Sequence, residues 1–440
     1  MLFNTPTYFY FLIPTLIAFY TLNSFSTRWR NIFLLAASWF FYAQLHWWYL
    51  LLLGYATVVN YVGGLWIDRE RERKGKVKAA LWTTVILTLA ALVVFKYFYI
   101  FNSNIMLPVG MSFFTFMALT YSIDIYRGKI HADKDLIKVA LFISFFPTLL
   151  SGPIERAQNM LPQLSRRIPF HSTNLIIGAQ WFIWGLFKKI VIADRLADYV
   201  NMIYAAPEAH NGATLALAAF FYSFQIYCDF SGYADMAIGS GRMMGFRIMQ
   251  NFRLPYCVRT IKEFWRRWHI SLTSWFTEYV YISLGGNRVS KARWMLNISL
   301  VFILSGIWHG ATAAFAIWGA LHAVYYLLEK YFGPKQPNVL YHILIFILIT
   351  FAWIFFRTED ATLSCQIIWR ICTDFMHTPL LGSSAFTTIL TACLLLAFIV
   401  REFVSYRVGS EKRSIAELVF LLIFIALFSV TSEQFVYFQF

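Results

Sequence analysis

Ser305-Gly306-Ile307-Trp308-His309-Gly310 lies inside an otherwise apolar run from Leu296 to Ala316. A run of that length is long enough to cross a bilayer as a helix. It carries one proton-transfer side chain, His309, flanked by Gly306 and Gly310. An ionisable group at membrane depth is expensive and marks a functional position by default. The competing reading is a packing histidine bonded to a neighbouring carbonyl. Either way the stretch makes the chain a membrane protein with a polar group in its interior.

Composition agrees. Of 440 residues, 59% are hydrophobic, 20% aromatic and only 13% charged, too few polar groups to cover so much apolar mass in water. Apolar windows of spanning length fall near 7–25, 31–52, 79–101, 105–125, 136–152, 174–193, 212–228, 294–308, 311–332, 339–356, 383–400 and 414–431. Several are short or interrupted. The expected fold is therefore all-α and polytopic, with about 10–13 transmembrane helices plus re-entrant or amphipathic pieces. The opening stretch, Met1 to Pro14, lacks a basic flank and a small-residue cleavage site, so the first apolar segment is expected to remain as a helix. Cys228, Cys257, Cys365, Cys372 and Cys393 show no C-x-x-C spacing, so neither a disulfide framework nor a metal site is indicated.

The net charge of +15, from 37 basic and 22 acidic residues, is gathered in the connections between spans. That distribution points to lipid rather than nucleic acid. Arg28 with Arg30, Arg69 to Lys78, and Arg127 to Lys138 alternate with weakly charged connections around His46 and Asn102. The positive-inside rule then puts the basic loops in the cytoplasm and the N-terminus outside. Arg401 to Arg413 again reads as cytoplasmic, sending the last helix outward with the tail Phe435 to Phe440 external. No repeat or composition shift marks a soluble domain. Residues 1–440 are read as one membrane domain, with N-terminal helices 1–206, a core 212–332, C-terminal helices 333–434 and the tail 435–440.

Within that core, 229–293 is crowded with charge between apolar flanks. Over 260–276, Phe264, Trp265, Trp268, Leu272, Trp275 and Phe276 share one helical face and Lys262, Glu263, Arg266 and Arg267 the other. Such a helix lies in the interface or re-enters the membrane. Its arginines suit lipid phosphates and equally an anionic cofactor.

Seven strings, in order, carry a resemblance. They are Leu107-Pro108-Val109-Gly110-Met111-Ser112-Phe113-Phe114-Thr115-Phe116, Asp124-Ile125-Tyr126-Arg127-Gly128, Phe145-Phe146-Pro147 with Ser151-Gly152-Pro153-Ile154, Asp229-Phe230-Ser231-Gly232-Tyr233, Phe264 to Leu272, Tyr281-Ile282-Ser283-Leu284-Gly285-Gly286-Asn287-Arg288, and Ser305 to Gly310 followed by Trp318-Gly319-Ala320-Leu321-His322. Together, over roughly residues 30 to 325 and at the extreme C-terminus, the chain resembles the membrane-bound O-acyltransferase family and its bacterial alginate O-acetylase-like branch.

That resemblance implies helices around a funnel in the bacterial cytoplasmic (inner) membrane. It implies transfer of acetyl from cytoplasmic acetyl-CoA, without a metal, to an extracytoplasmic polysaccharide. By motif match the catalytic histidine is His309. The chemistry agrees, since hydroxyl attack on a thioester needs a base near neutral pKa. His322 is a candidate supporting residue. Thirteen residues of continuous helix would turn it about 220° from His309, and a break near Gly310 would change that. Ala323 stands where family members often carry glycine. On the donor side, Arg266, Arg267 and His269 are candidates for cofactor contacts, with local bonding as the alternative for His269. The tail resembles a C-terminal aromatic-tyrosine motif, which makes Tyr437 a candidate acyl relay to an SGNH-type partner; an interfacial aromatic belt is the alternative. Two other activities stay open: D-alanyl transfer to teichoic acid from a carrier-protein thioester, and a transporter with a histidine proton relay.

Overall fold

The computed structural model describes residues 1–97, 108–375, 377–382, 384–408 and 414–430. Among them every regular element is helical. Seven helices are long and apolar enough to cross a membrane: Pro6–Phe25, Tyr49–Glu72, Val77–Tyr97, Ser172–Ala205, Gly212–Met243, Val339–Thr358 and Ala385–Val408. Their outward faces carry Leu51, Val58, Trp82, Ile86, Ile343 and Val400, each at least half exposed. Large side chains stand exposed this way where the solvent is lipid. The chain is a multi-pass membrane protein.

The chain packs as two units, Met1–Gly185 with Tyr233–Gln250, and Leu186–Gly232 with Asn251–Phe440. In the first, polar side chains tie apolar helices together, as expected where burial alone gives helices no reason to associate. Asn60 on Tyr49–Glu72 donates to Thr88 Oγ1 of Val77–Tyr97 (2.9 Å) and accepts from Ser122 of Met111–Tyr126 (2.7 Å). The fully buried Arg30 donates to Asn23 Oδ1 and to the carbonyls of Leu164 and Arg166. It thereby fastens the end of the helix Ala157–Ser165 against the first two helices. The apolar window at 136–152 is broken: Leu136–Ser144 stops before Pro147 and restarts as Phe146–Leu149. Neither piece is long enough to span, and from Val139 to Leu149 they are buried.

The second unit holds most of the charge-crowded region, its 229–232 and 251–293 parts. A wide π-type turn, Lys188–Ala193, interrupts the helix between Ser172–Phe187 and Asp194–Ala205. Lys189 Nζ lies 2.8 Å from Asp194 and 2.7 Å from Asp229, with all three side chains at most 3% exposed. Lys188 donates to Ser231 (2.8 Å). On the same turn the Ile190 carbonyl accepts from Val430 N–H (2.9 Å), tying the end of the last described helix to this buried charge cluster.

Periodicity predicts one amphipathic helix over 260–276, and the structure breaks it. Ile261–Arg267 and Ile270–Trp275 meet at His269, whose φ of 43° is left-handed. All six predicted apolar residues are nonetheless buried. The cause of the break is Asn251. Its carbonyl accepts from Ile270 N–H (2.8 Å), and its side-chain oxygen receives Ser271 N–H and Ser271 Oγ–H and bonds His269 Nδ1 (3.1 Å).

Candidate active site at the Gly310 turn

The helix Lys291–His309 ends at Gly310, and the next, Ala313–Phe332, starts after Thr312. The break that the two-histidine spacing required is present. Gly306 and Gly319 let the two helices meet backbone to backbone. A side chain at 306 would sit 3.1 Å from the Phe315 carbonyl carbon and 3.3 Å from Gly319 N, and one at 319 would sit 3.0 Å from the Phe302 carbonyl carbon. Gly306→Ala is expected to cost about 1–3 kcal/mol, because rigid backbone must move to admit the methyl. Thermal unfolding of the purified variant in detergent measures this, and an unchanged midpoint would show that the hairpin tolerates separation.

His309 occupies the closed end of this hairpin, 3% exposed. Its ring makes edge contacts with Trp308 (4.7 Å), Trp318 (5.2 Å) and Phe356 (5.0 Å between centroids). His322 is fully buried one helix along. It stands edge-on to Trp265 (4.9 Å) and Trp318 (5.0 Å) and parallel to Phe264. The turn at Gly310 thus brings both histidines against a single indole, Trp318. Trp353 stacks on that indole at 5.7 Å and packs on Trp268 at 4.9 Å. Trp353 and Phe356, from Val339–Thr358, are wall residues that sequence reading missed. Nothing in that uniformly apolar helix distinguishes the residues facing the site.

The arginine pair separates. Arg266 lines a cavity of about 250 Å³ together with Lys262, Trp265, Tyr281, Tyr326 and Ser305. Ser305 is one helical turn before His309. Arg267 instead pairs with Glu263 (2.6 Å), its guanidinium 5.4 Å from the Tyr406 ring centre. His269 is buried, 4.6 Å from Phe230 and 6.2 Å from Trp308 by ring centres. That places it behind the tryptophan next to His309 rather than on the cavity. Tyr437 lies outside the described residues. One set with metal-ligand spacing occurs among the described residues, Asp68, Glu72 and His131 in the first unit. There Arg71 lies 2.9 Å from Asp68 and 3.2 Å from His131, so a guanidinium already supplies the positive charge.

A buried imidazole walled by aromatics, one helical turn beyond a residue that lines a cavity, suits base-assisted acyl transfer. Comparison with known proteins agrees. The sequence profile of the membrane-bound O-acyltransferase family matches residues 77–359. A probable alginate O-acetylase of Pseudomonas aeruginosa is 38% identical over 396 residues, 84% of this chain and 74% of that one. A peptidoglycan O-acetyltransferase of Helicobacter pylori is 32% identical over 419 residues, 84% and 79% of the two chains. A teichoic acid D-alanyltransferase of Bacillus subtilis is 29% identical over 269 residues, 58% and 68% of the two chains. Given the extent of these matches, and in agreement with the motifs around His309, the chain belongs to the membrane-bound O-acyltransferase family and is an O-acyltransferase.

Proposed function

We propose that the protein takes acetyl from cytoplasmic acetyl-CoA and passes it across the inner membrane for O-acetylation of an extracytoplasmic polysaccharide. The observation that carries this reading is the placement of His309 one turn beyond Ser305, where Ser305 walls the cavity that Arg266 and Lys262 also line. Lys291, Arg293 and Lys330 gather at the open end of the hairpin. By the positive-inside rule that end is cytoplasmic, and the histidine is carried about 27 Å along the helix toward the other side. In this reading His309 is the base that takes the acceptor hydroxyl proton, and His322 supports it through Trp318. Arg266 meets the donor's phosphates. Arg267 and His269 brace that helix pair through Glu263 and Asn251.

Acetyl is favoured over D-alanyl because the acetylase relatives match 84–94% of this chain at 32–38% identity, against 52–58% at 27–29% for the D-alanyltransferases. The transporter reading gives way to the family match. Radiolabelled acetyl-CoA supplied to the purified chain tests the donor directly. Covalent or acceptor-bound label is the expected result, and label arriving only from a carrier-protein thioester would replace acetyl-CoA as donor.

On the outer side, Tyr437 serves as acyl relay to an SGNH-type transferase. A phenol of pKa about 10 attacks a thioester once a base takes its proton, and its aryl ester stays activated for onward transfer. Tyr437→Phe keeps an aromatic belt but removes the nucleophile, so polysaccharide acetylation is expected to vanish. Normal acetylation by that variant would leave the tail as an anchor.

A further inference from the structure

The last described helix, Ile415–Phe428, is lightly held: among its described side chains only Leu421 is buried. Its 14 residues rise about 20 Å, less than the roughly 30 Å of a hydrocarbon core. Counted outward from the basic connection Arg401 to Arg413, the helix therefore ends within the membrane. Backbone polar groups released at that depth need protein partners, and two of them find partners in one neighbouring segment. The Phe428 carbonyl accepts from Arg195 Nε–H at 2.7 Å, and Val430 N–H donates to the Ile190 carbonyl at 2.9 Å. The Arg195 guanidinium also lies 5.9 Å from the Phe428 ring centre. That ring ends a ladder of Phe420, Phe424 and Phe428, spaced 4.2 and 5.2 Å.

The segment that catches the chain end is itself firmly based. Ile190 belongs to the wide turn Lys188–Ala193, and Arg195 to the first turn of Asp194–Ala205. The ion pairs of Lys189 with Asp194 and Asp229 lock the same stretch of backbone. Turns of this kind recur at functional sites. Arg195 falls ten residues before the end of the span Ser172–Ala205, at a depth where a charge is expensive. Partly buried, it lines a cavity of about 410 Å³ together with Asp198, Thr387 and Thr391. A hydroxyl could satisfy one helix-end carbonyl at less cost. A guanidinium bonded to that carbonyl and set over the ring of the same residue does more, because it specifies a position.

We propose that Arg195 and the Ile190 carbonyl form a clamp that fixes where the C-terminal segment departs, which makes Arg195 a positioning residue for acyl transfer to Tyr437. This role rests on the Tyr437 relay proposed above. Tyr437 follows Val430 by seven residues, a tether that reaches at most about 25 Å. The departure point therefore decides what the phenol can meet. Along its own helix His309 stands about 27 Å from the cytoplasmic end. Phe428 stands about 20 Å from the corresponding end of its helix, and Ser429 carries the chain on in extended backbone. The clamp thus releases the tether at nearly the depth of the base. In the step it positions, Tyr437 Oη bonds the acetyl carbon and the carbon–sulfur bond to coenzyme A breaks. The phenol proton passes through His309 to the leaving thiolate.

The test follows acetylation of Tyr437 by mass spectrometry on the full chain in lipid nanodiscs, with acetyl-CoA supplied and no partner transferase present. Arg195→Met should slow it about tenfold by lowering the effective concentration of the phenol at the site. Arg195→Lys, which keeps a donor, should recover part of the rate, and in both variants the loss should fall on kcat rather than on KM for acetyl-CoA. Inserting two glycines between Val430 and Thr431 should also slow the otherwise wild-type chain about tenfold, because the tether no longer matches its anchor. Added to Arg195→Met, the same insertion should cost less than about twofold more, since an unanchored tether is insensitive to length. If the two losses multiply, or if the insertion leaves the wild-type rate intact, Arg195 is a packing residue and the positioning role fails while the relay stands. The insertion alone decides the matter should Arg195→Met not reach the membrane. If the unaltered chain forms no acetyl ester at Tyr437, the relay reading itself fails and the positioning role falls with it.

Discussion

His309→Ala should lower acyl transfer at least 100-fold, the usual consequence of deleting a general base. That factor corresponds to about 2.7 kcal/mol of barrier. The variant should still reach the membrane, because His309 is the last residue of its helix and shortening it disturbs no backbone bond. Both kcat and kcat/KM should fall together while donor binding holds, as expected when a contact needed only for chemistry is lost. Turnover above about a tenth of wild type would make His309 a packing residue. Added imidazole gives a second measure, since partial recovery in the alanine variant would report a missing base rather than a collapsed wall.

Lys189→Met should be the most destabilising single change in the second unit. The lysine holds Asp194 and Asp229 at 2.8 and 2.7 Å with almost no exposure. Removing it leaves two carboxylates facing each other without their shared cation. Breaking a buried pair in this way costs about 3–5 kcal/mol. The variant should be depleted from membranes and unfold at lower temperature. Adding Asp229→Asn to Lys189→Met should restore part of the loss by removing one of the stranded charges. Normal expression and stability of Lys189→Met would show that the cluster tolerates the carboxylates in protonated form.

The hairpin was legible from sequence because glycine and histidine stand out in an apolar run. The same contrast exposed Ser305 to Gly310 and the Trp318 to His322 segment. Rotational phase alone would have separated His309 from His322, and three residues, Gly310 to Thr312, removed that objection. The 260–276 segment shows the opposite case. Its period identified which residues are buried, yet the kink at His269 depends on Asn251, eighteen residues upstream. Periodicity reports a helix's own preferences and is blind to a distant amide competing for its backbone. The arginine pair shows the same limit. Adjacent in sequence, Arg266 and Arg267 part company because Glu263 lies one turn before Arg267 and captures it. Phe356 and Trp353 were invisible for a plainer reason: in a helix apolar all round, no residue type marks the face that meets the site.

Trp318 stands between two histidines, and this limits how genetics can dissect them. Replacing His322 frees the far edge of the indole, and the indole is also a wall of the His309 pocket. An inactive His322 variant would therefore not by itself show that His322 handles a proton. Because both rings report on one shared partner, their defects should combine to less than the product of the two separate losses, and Trp318→Phe should reproduce much of the His322 phenotype while both imidazoles remain.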